Sequence, residues 1–257
     1  MKITALQMVA KAGDVDANLA RIERAVAEAA GKGARLLVAP ELAVTGYGAA
    51  DAFATLAEAS HGAAASRLAA LAARHGVAIV AGFAETADGR VWNSALFVDP
   101  SGRRIVYRKS HLYGDYERRH FAAGEPTANV FEYGGLRLGM LICYDVEFPE
   151  NVRRLAQSGA QLVLVPTALP ASDHAALIAQ KMIPVRAFEN QVFLAYVDHC
   201  GADERFAYAG LSGIAAPDGA LLAKAGVREA LLSAEIRPAD YAVSAAANPY
   251  LADLRTA

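Results

Sequence analysis

The stretch LGMLICYDVEFPE (residues 138–150) decides the fold class, because it joins a buried strand to a helix. Its first half is a continuous apolar run, which is typical of a strand buried on both faces of a sheet. The run stops at Cys143, where the sequence turns polar. A helix over residues 149–158 is predicted, since proline suits the first helical turn. Side chains at the C-terminal end of such a strand open into the crevice where α/β proteins bind ligands.

Outward from this stretch, β-branched runs alternate with helical periodicity. The runs predict strands over residues 3–9, 35–39, 77–83, 138–143, 162–165 and 192–197. The periodicity predicts a first helix with an apolar stripe at residues 19, 22, 26 and 29, for which Asp14 and Asp16 are the candidate N-caps. Two more helices are predicted over residues 64–75 and 175–190, the last with a kink or early break at Pro184. Turn signals predict two hairpins, over residues 92–107 and 211–223. We therefore expect a layered α/β fold in one domain, residues 1–257.

Composition excludes several classes of protein. The 257 residues are 54% hydrophobic and 20% charged, which excludes a disordered or fibrous chain. The net charge of −2, without basic runs, argues against nucleic acid as a partner. No apolar run approaches the ~18 residues of a membrane span, and the N-terminus is too polar for a signal peptide. With only two cysteines, the chain suits a reducing compartment, and we expect a cytoplasmic protein.

Cys143 is the candidate nucleophile, although a buried packing thiol is the alternative. Cys200 has no catalytic residue types around it and is assigned a structural role. Among the histidines, His111 could line the same strand end as Lys109 or serve as a hydrogen-bonding strand cap, and no other histidine pairs with an acid in a recognisable arrangement, so we look for a base of another kind. Glu41 follows the apolar run 37–40, and Lys109 follows the strand-like run 104–108. Metal-ligand spacing is absent from the sequence, and neither a metal nor a cofactor is predicted.

Three motifs carry a family resemblance when they are taken together. PELAVTGY (residues 40–47), YRKSHL (107–112) and ICYDVEFPE (142–150) resemble, in this order and spacing, the motifs of the nitrilase or carbon–nitrogen hydrolase superfamily. The resemblance covers nearly the whole chain. It implies a single-domain, four-layer α-β-β-α sandwich, a small-molecule amide as substrate, no cofactor, and a homodimer or small homo-oligomer.

The resemblance also assigns roles to the residues at the three strand ends. Cys143 would attack the amide carbon and form a thioester, and Glu41 would serve as general acid and base. Lys109 would stabilise the oxyanion together with the backbone N–H of Tyr144. A positioned acid/base contributes about 10²–10⁴ in rate and one oxyanion donor about 10²–10³.

A second glutamate shortly after the lysine is common among amidases of this superfamily, and Glu117 matches its place. It would orient Lys109 or the substrate amide. Asp115 is the competing candidate, and an ion pair of Glu117 with Arg118 or Arg119 is the structural alternative.

Glu147 bears on the substrate, because many family members have an arginine at this place. An acid there disfavours a carboxylate-bearing substrate and tolerates a cationic group. The alternative is an ion pair with Arg153 or Arg154 on the following helix. Residues 109–115, 148–154 and 199–204 further resemble the branch that contains 5-aminopentanamidase and the stereoselective aliphatic amidases. We therefore expect a small aliphatic amide, in the finer form an ω-amino amide such as 5-aminopentanamide.

Other functions stay open on the sequence alone. A nitrilase or an N-carbamoyl amidohydrolase would use the same three residues. From other classes, a non-catalytic scaffold on the same fold would not need the three residues intact. A redox-sensing thiol protein would form a reversible disulfide of Cys143 and release no ammonia.

Overall fold

The computed structural model describes residues 1–255, and its strands form two six-stranded sheets and a two-stranded one. In spatial order the first sheet consists of β14 (Ala230–Glu235), β1 (Lys2–Gln7), β2 (Leu36–Val38), β3 (Ala78–Ala87), β4 (Arg90–Val98) and β5 (Arg104–Arg108). The second consists of β13 (Leu221–Lys224), β12 (Gly213–Ala215), β9 (Phe193–Val197), β8 (Leu162–Pro166), β7 (Leu136–Met140) and β6 (Val130–Tyr133). Strands β10 (Cys200–Ala202) and β11 (Ala207–Ala209) pair separately.

Each large sheet has a parallel centre and antiparallel edges. Strands β1, β2 and β3 run parallel, as do β7, β8 and β9. The predicted hairpins form the edges β4–β5 and β12–β13. The buried apolar runs thus occupy the centres, as the lack of polar alternation in their sequence predicts.

Helices cover the outer face of each sheet. Helices α1 (Val15–Gly31) and α3 (Ala63–His75) pack on the first sheet, and α5 (Pro149–Gln157) and α7 (Ile183–Asn190) pack on the second. The shorter helices are α2 (Phe53–Leu56), α4 (Gly114–His120), α6 (Ala175–Leu177), α8 (Ala242–Ala247) and α9 (Tyr250–Asp253). Turns of 3₁₀ helix span Tyr47–Ala52, Cys143–Glu147 and Pro238–Tyr241. None of the helices in residues 1–255 is both long enough and apolar enough to cross a membrane.

The two sheets meet face to face in the main core. Leu36 and Val38 point toward the second sheet, whereas Leu37 between them packs under α1 and α3. This alternation follows from the two-residue period of a strand. The layers therefore run helices, sheet, sheet, helices, and the predicted α-β-β-α sandwich is confirmed. The predicted end of the domain at residue 257 lies outside the described residues.

Helix ends follow their local sequence. Asp14 Oδ1 accepts a hydrogen bond from the Ala17 N–H at 3.0 Å and caps α1, as predicted. Helix α3 ends at Gly76, whose φ of 67° lies in the left-handed region that suits glycine.

Two predicted elements are wrong in their boundaries. The strand predicted over residues 138–143 ends at Met140, so Cys143 lies in a 3₁₀ turn beyond it. The helix predicted over residues 175–190 is divided into α6, a π-helical segment at Ile178–Met182, and α7. Pro184 lies in the first turn of α7 and has no N–H to donate to the preceding turn, and the π-helical segment comes directly before it, next to the predicted kink or early break.

Candidate active site

Glu41 lies in the turn after β2 and is completely buried. Its Oε1 accepts hydrogen bonds from Lys109 Nζ and from Asn93 Nδ2, each at 2.7 Å. Its main chain is tied to the second sheet, because the N–H donates to Thr167 O at 3.3 Å and the carbonyl oxygen accepts from His199 Nε2 at 2.6 Å. Strand β3 passes so close that a Cβ on Gly82 would come within 2.6 Å of Glu41 Cα.

Lys109 follows β5 directly and is also fully buried. Its Nζ donates to Glu41 Oε1 at 2.7 Å and to Glu117 Oε1 at 2.6 Å. An ammonium has three N–H donors, so these two contacts leave one, for which residues 1–255 supply no further acceptor. Lys109 therefore has one donor left for a substrate oxygen.

Glu117 lies on α4 and is 1% exposed. Besides the Lys109 contact, its Oε1 accepts from the Tyr47 hydroxyl and its Oε2 from the Tyr113 N–H, both at 2.8 Å. The competing candidate Asp115 is fully exposed and lies 3.5 Å from Arg118. The structure thus brings Glu117, and not Asp115, to Lys109.

Cys143 begins the 3₁₀ turn that leads from β7 toward α5, and its φ is 45°. This left-handed conformation is strained for a residue other than glycine, and such strain occurs in turns that present a nucleophile between a strand and a helix. The thiol is buried, and the charges of Glu41, Lys109 and Glu117 all act on it. The turn therefore places the sulfur beside the buried charge cluster.

Asp145 holds this turn against the first sheet. Its carboxylate accepts hydrogen bonds from the Tyr107 hydroxyl at 2.9 Å, the Ser110 hydroxyl at 2.8 Å and the His111 N–H at 2.8 Å. It also accepts from the Ile142 N–H at 3.1 Å, next to the cysteine. Since Tyr107 belongs to β5, the carboxylate links the end of the second sheet to the strand that precedes Lys109.

Burial and the neighbouring charges shift the pKa values of Glu41, Lys109 and Cys143. Burial raises the pKa of Glu41 to about 7, against the opposing charge of Lys109 and with the help of Glu117. Burial disfavours the ammonium of Lys109, but the two carboxylates outweigh it and raise its pKa well above the ordinary value. Burial, with the charge of Glu41, raises the pKa of the Cys143 thiol well above its usual range. At neutral pH the resting site thus holds a neutral thiol, an ammonium and a carboxyl group poised to exchange a proton.

Tyr144 and Glu147 lie on the same 3₁₀ turn as Cys143. The Tyr144 ring meets the rings of Tyr113 and Phe148 edge to face, at 5.2 and 5.0 Å between centroids. Burial raises the pKa of Glu147, and the charges of Lys109 and Arg186 oppose that rise. Glu147 is therefore within electrostatic range of Lys109.

The structural alternative for Glu147 is not realised in residues 1–255, where no ion pair joins it to Arg153 or Arg154. The guanidinium of Arg154 instead donates to Asn151 Oδ1 at 2.8 Å. Arg186 donates to the main-chain oxygen of Glu147 at 2.8 Å.

Sequence reasoning missed four contributors to the site: Asn93, Tyr47, Asp145 and His199. Tyr47 and Asp145 stand inside the quoted motifs, so their positions carried a signal that was not used. Asn93 is a completely buried amide on β4, next to the buried Ser94, and a polar pair inside a mostly apolar strand was the available signal. His199 is fully buried, which lowers its pKa to about 4, and a neutral imidazole bonded to a main-chain oxygen is no base for the thiol.

Cys200 lies on β10, buried and away from this cluster, and both cysteines are free thiols. Among residues 1–255 no group of three histidine, cysteine, aspartate or glutamate side chains could hold a metal ion.

Comparison with known proteins identifies the class. The carbon–nitrogen hydrolase family matches residues 2–245, and the chain belongs to this family. The Pseudomonas protegens protein named "Hydrolase in pqqF 5'region" is 43% identical over 99% of this chain and 89% of its own length. An (R)-stereoselective amidase from Pseudomonas sp. is 39% identical over 88% of this chain and 81% of its own.

A solved structure extends the likeness to three dimensions. An amidase from Nesterenkonia sp. AN1 superimposes with a TM-score of 0.89 at 36% identity, covering 99% of this chain and 96% of that one. It is a glutamate-to-glutamine mutant that shows the Michael addition of acrylamide at the active-site cysteine. The family, the fold and the prediction of an enzyme of the amidase kind, acting on carbon–nitrogen bonds, are confirmed.

Proposed function

We propose that the protein hydrolyses a small aliphatic carboxamide to a carboxylate and ammonia through a thioester on Cys143. The observation that carries the proposal is the buried Lys109 ammonium, which contacts Glu41 at 2.7 Å and Glu117 at 2.6 Å beside the thiol. A nucleophile, a proton carrier and a fixed positive charge thus share one site. The cysteine adduct of the Nesterenkonia amidase supports Cys143 as the reacting residue.

In the first half of the reaction, the Cys143 thiol gives its proton to Glu41 as its sulfur attacks the carbonyl carbon. The carbonyl oxygen becomes negative and takes the remaining N–H of Lys109, with the backbone N–H of Tyr144 as second donor. Glu41 then passes the proton to the nitrogen, the carbon–nitrogen bond breaks, and ammonia leaves. In the second half, Glu41 takes a proton from water, whose oxygen attacks the thioester carbon. The carbon–sulfur bond breaks, Glu41 returns the proton to the sulfur of Cys143, and the carboxylic acid leaves.

Glu117 has a supporting role in this scheme. It holds Lys109 with one oxygen and is itself fixed by Tyr47 and the main chain at Tyr113. Two carboxylates around one ammonium keep that ammonium charged although it is completely buried. Lys109 therefore meets the oxyanion as a fixed charge that needs no reorganisation, which is the arrangement that stabilises a transition state best.

The finer proposal concerns the substrate, for which we infer an ω-amino amide such as 5-aminopentanamide. Glu147 supports it as a half-buried acid on the turn of the nucleophile, without an ion-pair partner among residues 1–255. A substrate ammonium would supply a direct ion-pair partner, which the more distant charges of Lys109 and Arg186 do not. A substrate carboxylate would instead meet the like charge of Glu147.

The decisive experiment measures ammonia release from a panel of aliphatic, ω-amino, α-carboxyl and N-carbamoyl amides and of nitriles. We expect turnover of aliphatic amides, and an acyl adduct by intact mass that is absent from Cys143→Ala. Turnover of nitriles or N-carbamoyl compounds alone would assign one of the related reactions. Full activity of Cys143→Ala would refute the mechanism, and a reversible disulfide without ammonia release would show a redox role.

A matched pair of variants tests the substrate proposal. Glu147→Gln should lower kcat/KM for the ω-amino amide by about 10-fold or more, as expected for a lost charged contact, and spare the uncharged amide of equal length. Glu150→Gln, which removes an exposed acid from α5, serves as the control. Equal effects of Glu147→Gln on both amides would exclude recognition of an ammonium group.

We further propose a homodimer or small homo-oligomer in the cytoplasm. The two free thiols support a reducing compartment, and Leu177 and Val185 expose apolar surface around the helical segment α6–α7. Light scattering coupled to gel filtration tests the assembly, and a monomer at all concentrations would refute it. Fractionation of the producing cells tests the compartment.

A further inference from the structure

We infer that Asn93 is a positioning residue that occupies Oε1 of Glu41 and thereby leaves Oε2 as the atom that takes the Cys143 proton. The inference rests on the proposed function and deepens it. Glu41 Oε1 accepts two hydrogen bonds at 2.7 Å, from Lys109 Nζ and Asn93 Nδ2. Its lone pairs are thus used by donors that will not leave during the reaction.

The other carboxylate oxygen of Glu41, Oε2, lacks the hydrogen-bond donors that Oε1 has. Glu41 Oε2 is buried, and nothing among residues 1–255 donates a hydrogen bond to it. A buried acceptor without a partner costs about 1–3 kcal/mol, so such atoms call for an explanation. A role as proton acceptor in general acid–base catalysis would explain the unpaired Oε2 atom, because such an atom stays free to receive the proton of the reacting group.

Asn93 is suited to this task by its place on β4, opposite the end of β5. It lies on β4, is completely buried, and its carbonyl oxygen accepts from the Lys109 N–H at 2.8 Å. The side chain of one residue therefore fixes the carboxylate of Glu41 while its main chain fixes the start of Lys109. Loss of the side chain leaves the main-chain bond in place, so a substitution isolates the contact to Glu41.

In the acylation step the atoms balance without any further reactant. The Cys143 S–H bond breaks, its proton moves to Glu41 Oε2, and the sulfur electron pair forms the bond to the carbonyl carbon. When the carbon–nitrogen bond breaks, the same proton leaves Oε2 for the nitrogen. Oε1 keeps both of its donors throughout.

The test measures the rate at which methyl methanethiosulfonate modifies Cys143, as a function of pH. This small reagent is no amide, so the measurement is independent of the substrate, and peptide masses separate Cys143 from Cys200. The wild-type rate should fall below about pH 7 as Glu41 becomes protonated. We call this fall in the modification rate the acidic limb of the pH profile. Glu41→Gln should remove it.

The variants Asn93→Ala and Asn93→Asp should both move the limb to higher pH, because the ionised form of Glu41 loses a donor. We expect about one pH unit for alanine, the equivalent of one hydrogen bond to a charged group. Aspartate should move the limb further, since it keeps the shape of the side chain and adds a like charge. With an amide substrate, kcat at pH 7 should fall about 10- to 100-fold with little change in KM.

Ser94→Ala is the matched control on the same strand. Ser94 is as buried as Asn93, and its hydroxyl donates to Glu85 Oε2 at 2.7 Å, outside the site. Its loss should lower the melting temperature and leave the limb in place. A limb that stays at its wild-type pH in the folded Asn93 variants, or one that moves equally in Ser94→Ala, would overturn the inference. The absence of ammonia release by the wild type, with the limb shifts as expected, would refute only the proposed function.

Discussion

At the scale of single residues, the site depends on a buried cation shared by two acids. Lys109 contacts both Glu41 and Glu117 through their Oε1 atoms, and all three side chains are at most 1% exposed. Charges taken out of water are costly by themselves, and their mutual attraction and hydrogen bonds offset that cost only while every partner is present. Removal of one partner should therefore affect stability as well as chemistry.

We predict that Lys109→Ala loses activity by at least about 10³-fold and lowers the free energy of unfolding by about 3–5 kcal/mol, as expected for uncompensated buried charge. Urea unfolding and ammonia release measure the two effects. Lys32→Ala breaks the exposed Lys32–Glu28 pair of 2.6 Å and should cost less than about 1 kcal/mol. Equal losses for both variants would contradict this account of Lys109.

The pH dependence of kcat/KM is also set by single residues, above all by Glu41. Burial raises the pKa of Glu41 to about 7, the charge of Lys109 lowers it, and the charge of Glu117 raises it. In the proposed mechanism Glu41 acts as a base in its ionised form, so kcat/KM should fall as the pH drops through about 7.

In Glu117→Gln the raising charge is gone while Lys109 stays beside Glu41. We predict that the acidic limb of kcat/KM moves to lower pH, opposite to the shift expected for the Asn93 variants. The rate above the limb should also fall, because glutamine holds the ammonium less firmly. A limb that moves upward in Glu117→Gln would show that Glu117 does not act on Glu41 through its charge.

At the scale of elements, the turn that carries Cys143 is held by one carboxylate. Asp145 collects hydrogen bonds from β5, from the segment after it and from the Ile142 N–H. We predict that Asp145→Asn, which keeps the shape of the side chain, lowers kcat about 10- to 100-fold and the free energy of unfolding by about 1–3 kcal/mol.

Asp99 provides the comparison for Asp145, because it also gathers main-chain donors, from Ser101 at 2.8 Å and Arg103 at 3.2 Å, in the turn between β4 and β5. Asp99→Asn should destabilise the protein without lowering kcat of the folded molecules. Ammonia release normalised to the folded fraction distinguishes the two variants. A similar loss of kcat in both would mean that Asp145 acts only on stability.

The secondary structure was largely predictable from the sequence, except in the turns beside the site. The order of strands and helices, the cap at Asp14 and the end at Gly76 follow local rules and were predictable. The end of β5 before Lys109 was predictable as well, whereas the turns that carry Glu41 and Cys143 were not, because the backbone there follows contacts with distant segments. Glu41 bonds to Thr167 and His199 of the other sheet, and Cys143 takes a left-handed conformation that no cysteine prefers by itself.

At the scale of the whole molecule, stability depends on the contact between the sheets. Phe97 of β4 is fully buried, and its ring lies 4.7 Å from that of Phe131 and 5.4 Å from that of Tyr133, both on β6. We predict that Phe97→Ala costs about 3–5 kcal/mol of unfolding free energy, since truncation leaves a cavity between the sheets.

Val227→Ala, at a side chain that is 66% exposed, should change the unfolding free energy by less than about 0.5 kcal/mol. Both variants are compared by urea unfolding followed by circular dichroism and by activity. A cost for Phe97→Ala as small as that of the surface variant would show that the two sheets do not depend on this contact.

The four-layer sandwich was predicted from the resemblance of three motifs to a known family. Hydrophobic periodicity and turn signals alone predicted only a layered α/β fold. Glu41, Lys109 and Cys143 were recognisable because they stand at strand ends within those motifs. Asn93 and His199 were not, since their roles exist only once β4 and the segment after β9 have been brought to Glu41 by the fold.

The site is divided between the two sheets, with Glu41 and Lys109 following strands of the first and Cys143 following a strand of the second. The reacting groups therefore come together only where the apolar faces of the two sheets pack on each other. A change that shifted one sheet against the other would leave both sheets intact and still separate the thiol from the carboxylate and the ammonium. The packing between the sheets thus sets the geometry of the site as well as the stability of the fold.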